Sequence, residues 1–295
     1  MTMRKTAIAV LTMLLLSMCG VAQQYTTNTN ATTVKLADNV YLIHGGGGNV
    51  TALIGDDAIL LIDSMFPETA AGLDAALKSL SPKPVRYVIN THWHADHSGG
   101  NEYFGGRGAT IVSSEPTRAW LASRGNDYRP NAKGVPMATA GLPVVAFRDG
   151  LDVHFSGERL QMLPLGTGHS DGDAGAFLTK ARIAAIGDTY FGAFPPRNVL
   201  AVQSAMERFL AILPDDVQIV PGHGGVLRKQ ELVEYSTALK ESIRVMQAAI
   251  ASGKTLDQVR QEKLLGRFEK YSTPYMPLEK FTSNLFGELS DLQHR

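Results

Sequence analysis

Apolar and polar positions change rhythm several times along this chain, and each change marks an element. Val40–Ile43, Val50–Ile54 and Ala58–Ile62 are short aliphatic runs of strand length, and Gly55-Asp56-Asp57 between the last two has the composition of a hairpin turn. Pro67 suits the first turn of a helix over Glu68–Leu80, where Ala71, Leu73, Ala75, Ala76, Leu77 and Leu80 supply one packed face. Val85–Ile89 and Ala109–Val112 read as further strands. The second half repeats the order: strands at Leu160–Leu165, Ala174–Leu178 and Arg182–Ile186, a helix at Ala205–Leu213, then a buried strand at Val217–Val220. Strands lead each half and helices follow, which predicts two sheets with helices on their outer faces. Beyond them, Leu239, Ile243, Met246 and Ile250 recur at helical spacing within Val233–Ala251, a helix closed by Gly253. Thr255 and Gln258 have the spacing of a capping box for the next helix, and Met276–Leu292 predicts a last one.

The N-terminus follows a different logic. Arg4 and Lys5 precede an almost unbroken apolar run from Ala7 to Met18, and Gly20-Val21-Ala22 offers small residues for cleavage. This is the pattern of a secretory signal peptide over residues 1–22; the run is shorter than the ~20 residues a permanent span needs. Anchoring of Cys19 by lipid is disfavoured, because Met18 before it fits a lipoprotein box poorly. The expected location is therefore the periplasm or the exterior, with no stable membrane insertion after cleavage. Residues 23–33 are polar, rich in Thr and Asn, and read as a disordered leader; a catalytic domain is expected over 34–228 and a helical extension packed on it over 229–295.

Charge and cysteine content narrow the chemistry further. Losing Arg4 and Lys5 from 28 basic residues leaves the 28 acids in slight excess, so the mature chain has no field for polyanions and nucleic acid is not an expected partner. Cys19 is the sole cysteine. Its removal leaves no disulfide, thiolate nucleophile or cysteine ligand.

Candidate chemistry concentrates in Thr91-His92-Trp93-His94-Ala95-Asp96-His97, which follows the apolar strand Val85–Ile89 and precedes Ser98-Gly99-Gly100-Asn101. Residues two apart in extended chain point the same way, so His92 and His94 can reach one ion together. Asp96 and His97 follow the turn and can face a second ion. Four such side chains are costly to bury together unless something binds them, and zinc suits imidazole with carboxylate. Three more candidates lie just past strand ends beside glycines: His169 in Gly168-His169-Ser170, Asp188 in Gly187-Asp188-Thr189 and His223 in Gly222-His223-Gly224. Open α/β sheets place their sites at such ends.

The run His-Trp-His-Ala-Asp-His, with the later His169, Asp188 and His223, resembles the metallo-β-lactamase superfamily from about Val34 to Gly225. The resemblance implies an αβ/βα four-layer sandwich, here with extra C-terminal helices. It also implies two zinc ions, one on His92, His94 and His169, the other on Asp96, His97 and His223, with Asp188 bridging. A hydroxide between the ions would then attack a carbonyl, with Asp96 orienting it and Tyr190 a candidate oxyanion donor. The charge of two zinc ions exceeds that of Asp96, Asp188 and the hydroxide, so the centre stays electrophilic.

Around this set, Asp63 at the end of Ala58–Ile62 is a candidate acceptor for a ligand histidine, or a turn cap. His44, beside Gly45–Gly48, is expected on a flexible hairpin tip near the substrate; Trp93 and Phe66 are candidates for an apolar wall. His154 and His294 are assigned no chemistry. Lactamases with a cysteine ligand are excluded, and the lysine they carry three residues later is Phe191 here, which leaves Arg197 as the nearest cation for a substrate carboxylate. The expected activity is hydrolysis of a small molecule, a β-lactam, lactone or other ester. The alternatives are a thioesterase similar to glyoxalase II, or a mononuclear iron oxygenase similar to the persulfide dioxygenases.

Overall fold

The computed structural model describes residues 31–127, 132–190 and 192–293. The expected signal peptide with Cys19, most of the leader, Phe191 and His294 lie outside these residues. The first sheet takes its seven strands in chain order: β1 (Thr32–Ala37), β2 (Val40–His44), β3 (Val50–Ile54), β4 (Ile59–Ile62), β5 (Val85–Ile89), β6 (Thr110–Ser114) and β7 (Val145–Phe147). β1 to β4 form an antiparallel meander, and β4 to β7 run parallel. Parallel pairs need crossovers; α1 (Ala70–Leu80) supplies one, and the short α2 (Ala95–Ser98) and α3 (Asn101–Gly105) another. α4 (Glu115–Arg124) follows β6 and is capped by Ser114, whose hydroxyl accepts from the Thr117 amide.

The second sheet has six strands: β8 (Leu151–Phe155), β9 (Glu158–Gly166), β10 (Asp173–Leu178), β11 (Ile183–Ala185), β12 (Gln218–Val220) and β13 (Leu227–Arg228). β11 pairs with β12 in parallel, and α5 (Val199–Ile212) makes the crossover. α6 (Lys229–Ala251), α7 (Leu256–Gln261) and α8 (Leu278–Gln293) complete the chain, and Thr255 and Gln258 cap α7 reciprocally.

Side-chain alternation decides how the layers stack. Leu60 and Ile62 of β4 point inward with Val40 and Leu42, meeting Met162, Ala174, Ala176 and Ile183 of the other sheet. Ile59 and Leu61 point outward onto Leu73 and Leu77 of α1. Both faces of these strands are buried, which is why they read as continuous apolar runs. The outer face of the second sheet packs Phe177, Ala184 and Ile219 against Met206 and Phe209 of α5, Leu239 and Met246 of α6, and Phe281 and Leu285 of α8. This is the expected four-layer sandwich with added C-terminal helices.

The sequence reading departs from the structure at weakly patterned elements. β1 begins at Thr32, inside the expected leader; it is mostly exposed, and its order comes from pairing with β2 rather than from apolar side chains. β7, β8 and α4 were not anticipated. Among the described residues, no helix is long and apolar enough to cross a membrane.

Candidate metal centre

All seven expected ligand side chains converge where the two sheets present their strand ends. β5 delivers Thr91–His94, and the chain turns into α2, so Asp96 and His97 face back toward His92. His169 lies between β9 and β10, Asp188 just after β11, and His223 between β12 and β13. Two donor groups result, the atoms of each lying within 4.8 Å of one another: His92, His94, His169 and Asp188, and Asp96, His97, Asp188 and His223.

Asp188 belongs to both groups through different oxygens. Its Oδ2 is 3.3 Å from His169 Nε2, whereas its Oδ1 is 3.2 Å from His97 Nε2 and 3.5 Å from His223 Nε2. His94 Nδ1 lies 2.9 Å from His169 Nε2, and Asp96 Oδ2 lies 3.1 Å from His223 Nε2. Gly222 permits the approach of its loop: a Cβ there would sit 1.8 Å from Asp188 Oδ1. Gly48 does the same for His97, whose ring would meet a Cβ at 2.2 Å.

The two groups differ in charge. Burial and neighbouring His97 and His94 hold His92 well below the usual imidazole range, and burial with His169 holds His94 down to about 3. Both are neutral imidazoles. Burial acts the same way on His97, but Asp96, Asp188 and Asp63 outweigh it and raise it well above 6.5. His223, against Asp188 and Asp96, is likewise raised over its burial to about 10. His92 Nε2, by contrast, is buried with no hydrogen-bond partner among the described residues, an arrangement that costs free energy unless an electron-pair acceptor occupies the space. The donor set of imidazoles and carboxylates fits a zinc-type ion in both groups.

Supporting contacts fix the ligands. Asp63, in the left-handed region at φ 66°, accepts from the Thr91 amide at 2.7 Å and the Thr91 hydroxyl at 2.8 Å, and its Oδ2 is 2.8 Å from His97 Nδ1. It therefore joins the strand turn at Thr91 to the His97 ring. Asp173 was not assigned a role in the sequence. It accepts from the His169 amide at 2.6 Å and from the Ser170 amide and hydroxyl, so it tethers the His169 loop.

Other expected site residues lie as follows. His44 ends β2 rather than occupying a hairpin tip; it is half-buried, with Nδ1 2.8 Å from Asn49 Oδ1. Trp93 is 5% exposed, stacked on Trp120 at 4.3 Å and edge-on to the His94 ring at 4.3 Å, so it braces a ligand instead of lining an open surface. Phe66 is half-buried and His154 exposed. Arg197 is exposed and donates to the His169 carbonyl at 3.2 Å. Tyr190 packs edge-on to Tyr235, and its hydroxyl is pushed up by burial, Tyr271 and Glu231. The Tyr275 phenol is raised by burial and then by Asp188, with Arg197 opposing and Asp96 adding to the rise. It lies in the C-terminal extension, 52 residues after the last ligand in a 52%-exposed position, and no local motif marked it.

The sequence profile of the metallo-beta-lactamase superfamily matches residues 43–246. The chain belongs to the metallo-β-lactamase superfamily. Among named relatives of this superfamily member, a 2,4-dinitroanisole O-demethylase subunit alpha from Nocardioides sp. (strain JS1661) is 26% identical over 181 residues, 60% of this chain and 52% of the relative. This chain thus spans about half of that subunit. A metallo-beta-lactamase type 2 from Bacteroides fragilis is 27% identical over 220 residues, 68% of this chain and 82% of that one. Among solved structures, a stereoselective inverting sec-alkylsulfatase from Pseudomonas sp. superposes with a TM-score of 0.70 at 16% identity, covering 88% of this chain and 50% of the other. That likeness concerns the fold.

Proposed function

We propose that this superfamily member is an exported two-zinc hydrolase that cleaves a cyclic amide, lactone or other ester bearing a negative group. The observation that carries the reading is the division of the Asp188 carboxylate between two complete donor groups. His92, His94 and His169 would hold one ion, Asp96, His97 and His223 the other, with Asp188 shared. When bound, zinc supplies Lewis acidity, polarising the scissile bond and letting water act as a nucleophile near neutral pH. Asp96 orients the attacking water and takes its proton. Arg197, exposed and tied to the His169 carbonyl, receives the negative group of the substrate.

A mononuclear iron oxygenase would leave Asp96 and His223 without a chemical task, so the hydrolase is preferred. The test is turnover by zinc-loaded protein of a penicillin, a cephalosporin, a carbapenem, an acyl lactone, a thioester, an alkyl sulfate and an aryl methyl ether, the last two being substrate types for which relatives are named. Activity on any amide or ester that Asp96→Ala abolishes supports the reading. Inertness toward all hydrolysable bonds, with iron as the metal that purifies with the chain, would sink it.

A further inference from the structure

His223 is the ligand least secured by its own surroundings. Its side chain is 40% exposed, and it sits on Pro221-Gly222-His223-Gly224, a glycine-flanked link between β12 and β13. A loop of this kind does not hold an imidazole to sub-ångström tolerance by itself. What holds it comes from the other sheet.

Asn49, which is 7% exposed and immediately precedes β3, makes three bonds to this loop. Its amide N–H donates to the Gly222 carbonyl at 2.7 Å. Its side-chain Nδ2 donates to the Pro221 carbonyl at 2.9 Å and to the Gly224 carbonyl at 2.9 Å. The carbonyls before and after His223 are thus fixed to one side chain, across 172 to 175 residues of sequence. A carboxamide can do this in one orientation only. With both Nδ2 hydrogens committed, Oδ1 faces His44 Nδ1 at 2.8 Å, and since Oδ1 is an acceptor, His44 donates. The bond locks the amide against a flip that would set Oδ1 against two carbonyl oxygens.

We infer that Asn49, oriented by His44, is a positioning residue for His223 that sets the metal affinity of the Asp96, His97, Asp188 and His223 group and leaves the other group unaffected. The inference rests on reading that group as an ion site. The first group draws on different supports, the strand turn at Thr91–His94 and the Asp173 tether of His169, so the two affinities separate. Neither Asn49 nor His44 reaches an ion. Their effect passes through the loop, as partners of metal ligands commonly act, at a cost of about 10- to 100-fold in affinity when removed.

The experiment is a zinc titration of the full chain against a chromophoric chelator, resolving two binding constants, with cobalt spectra as a second readout of each site. Wild type is expected to bind two ions and His223→Ala one. Asn49→Ala and Asn49→Asp, which lose both side-chain donors, keep the first constant and weaken the second about 10- to 100-fold. His44→Ala, which leaves the loop bonds in place but frees the amide to flip, weakens the second constant less, and it carries the test should the Asn49 variants fail to fold. Unchanged second constants in the folded variants, or equal loss of both, overturn the role of Asn49. If wild type and His223→Ala bind the same number of ions, the reading of the second group falls, and the positioning role with it.

Discussion

The two halves of the molecule build their shares of the centre in opposite ways. The first sheet places four ligands within one turn, His92 to His97, where strand alternation and a short helix set the geometry locally. The second sheet sends three candidate ligands from three separate strand ends: His169 and His223 on loops and Asp188 on a short helical turn. The first is compact in sequence and tied to β4 through Asp63; in the second, Asp173 holds the His169 loop from close by in sequence and Asn49 holds the His223 loop from the other sheet. The division by charge runs between the donor groups instead of the halves: His92 and His94 are pushed below the usual imidazole range, whereas His97 and His223, facing Asp96 and Asp188, are pushed above it. In both halves a buried polar side chain holds a candidate ligand in place: Asp63 for the turn, Asp173 and Asn49 for the loops.

The comparison breaks most completely at the one residue both groups share. Asp188→Ala is expected to disable both groups and lower turnover by roughly 10⁴-fold, the scale seen when a triad-type group is removed; kinetics on whichever substrate the panel identifies measure it. Next comes Asp63→Asn, which weakens the acceptor of His97 in the local half. It should cost about 10- to 100-fold in ion affinity, read by chelator competition.

Asp173→Ala tests the clamp principle in the distant half. It strands the amides of His169 and Ser170 and the Ser170 hydroxyl, so urea unfolding should show a loss of about 1–3 kcal/mol. The ion held by His169 should weaken at the same time. A stability loss with no change in that ion would show that Asp173 serves the fold alone. Trp120→Ala removes the ring stacked on Trp93; the ring pair alone contributes about 0.5–1.5 kcal/mol, again read in urea.

The smallest effect lies far from the centre. Glu241, hydrogen-bonded by Arg244 and Arg267, has its carboxyl held down to about 2 against an ordinary 4.5. A lowered carboxyl contributes stability that is present above the ordinary value and lost as pH falls toward 2. The cluster is solvent-screened, so Glu241→Gln should cost little at neutral pH, and that small difference from wild type in urea unfolding should vanish as pH falls toward 2.

What the sequence disclosed follows the same division. The His92–His97 turn was legible because its spacing, its preceding apolar strand and its residue types all agree. His169, Asp188 and His223 were legible as donors from their places after strands and beside glycines. Their clamps were not, because Asn49 and Asp173 are ordinary polar residues until the fold brings them to a carbonyl or an amide. Asp173 did leave a trace: a carboxylate four residues after His169 and three after Ser170 is a local acceptor for their amides. Asn49 left none, since its partners lie on the other sheet. The missed α4 had signals of its own in Ser114 and Pro116, whereas β1, β7 and β8 are short or exposed and gain their order from pairing.

The central claim is that one carboxylate, Asp188, stands between two ion sites. Crystals of the protein loaded with zinc, with diffraction recorded on both sides of the zinc absorption edge, test it most directly. Two anomalous peaks, one among His92, His94 and His169 and one among Asp96, His97 and His223, each beside a different oxygen of Asp188, are the predicted result. A single peak at the first group, with Asp96 and His223 still paired to each other at 3.1 Å, would contradict it.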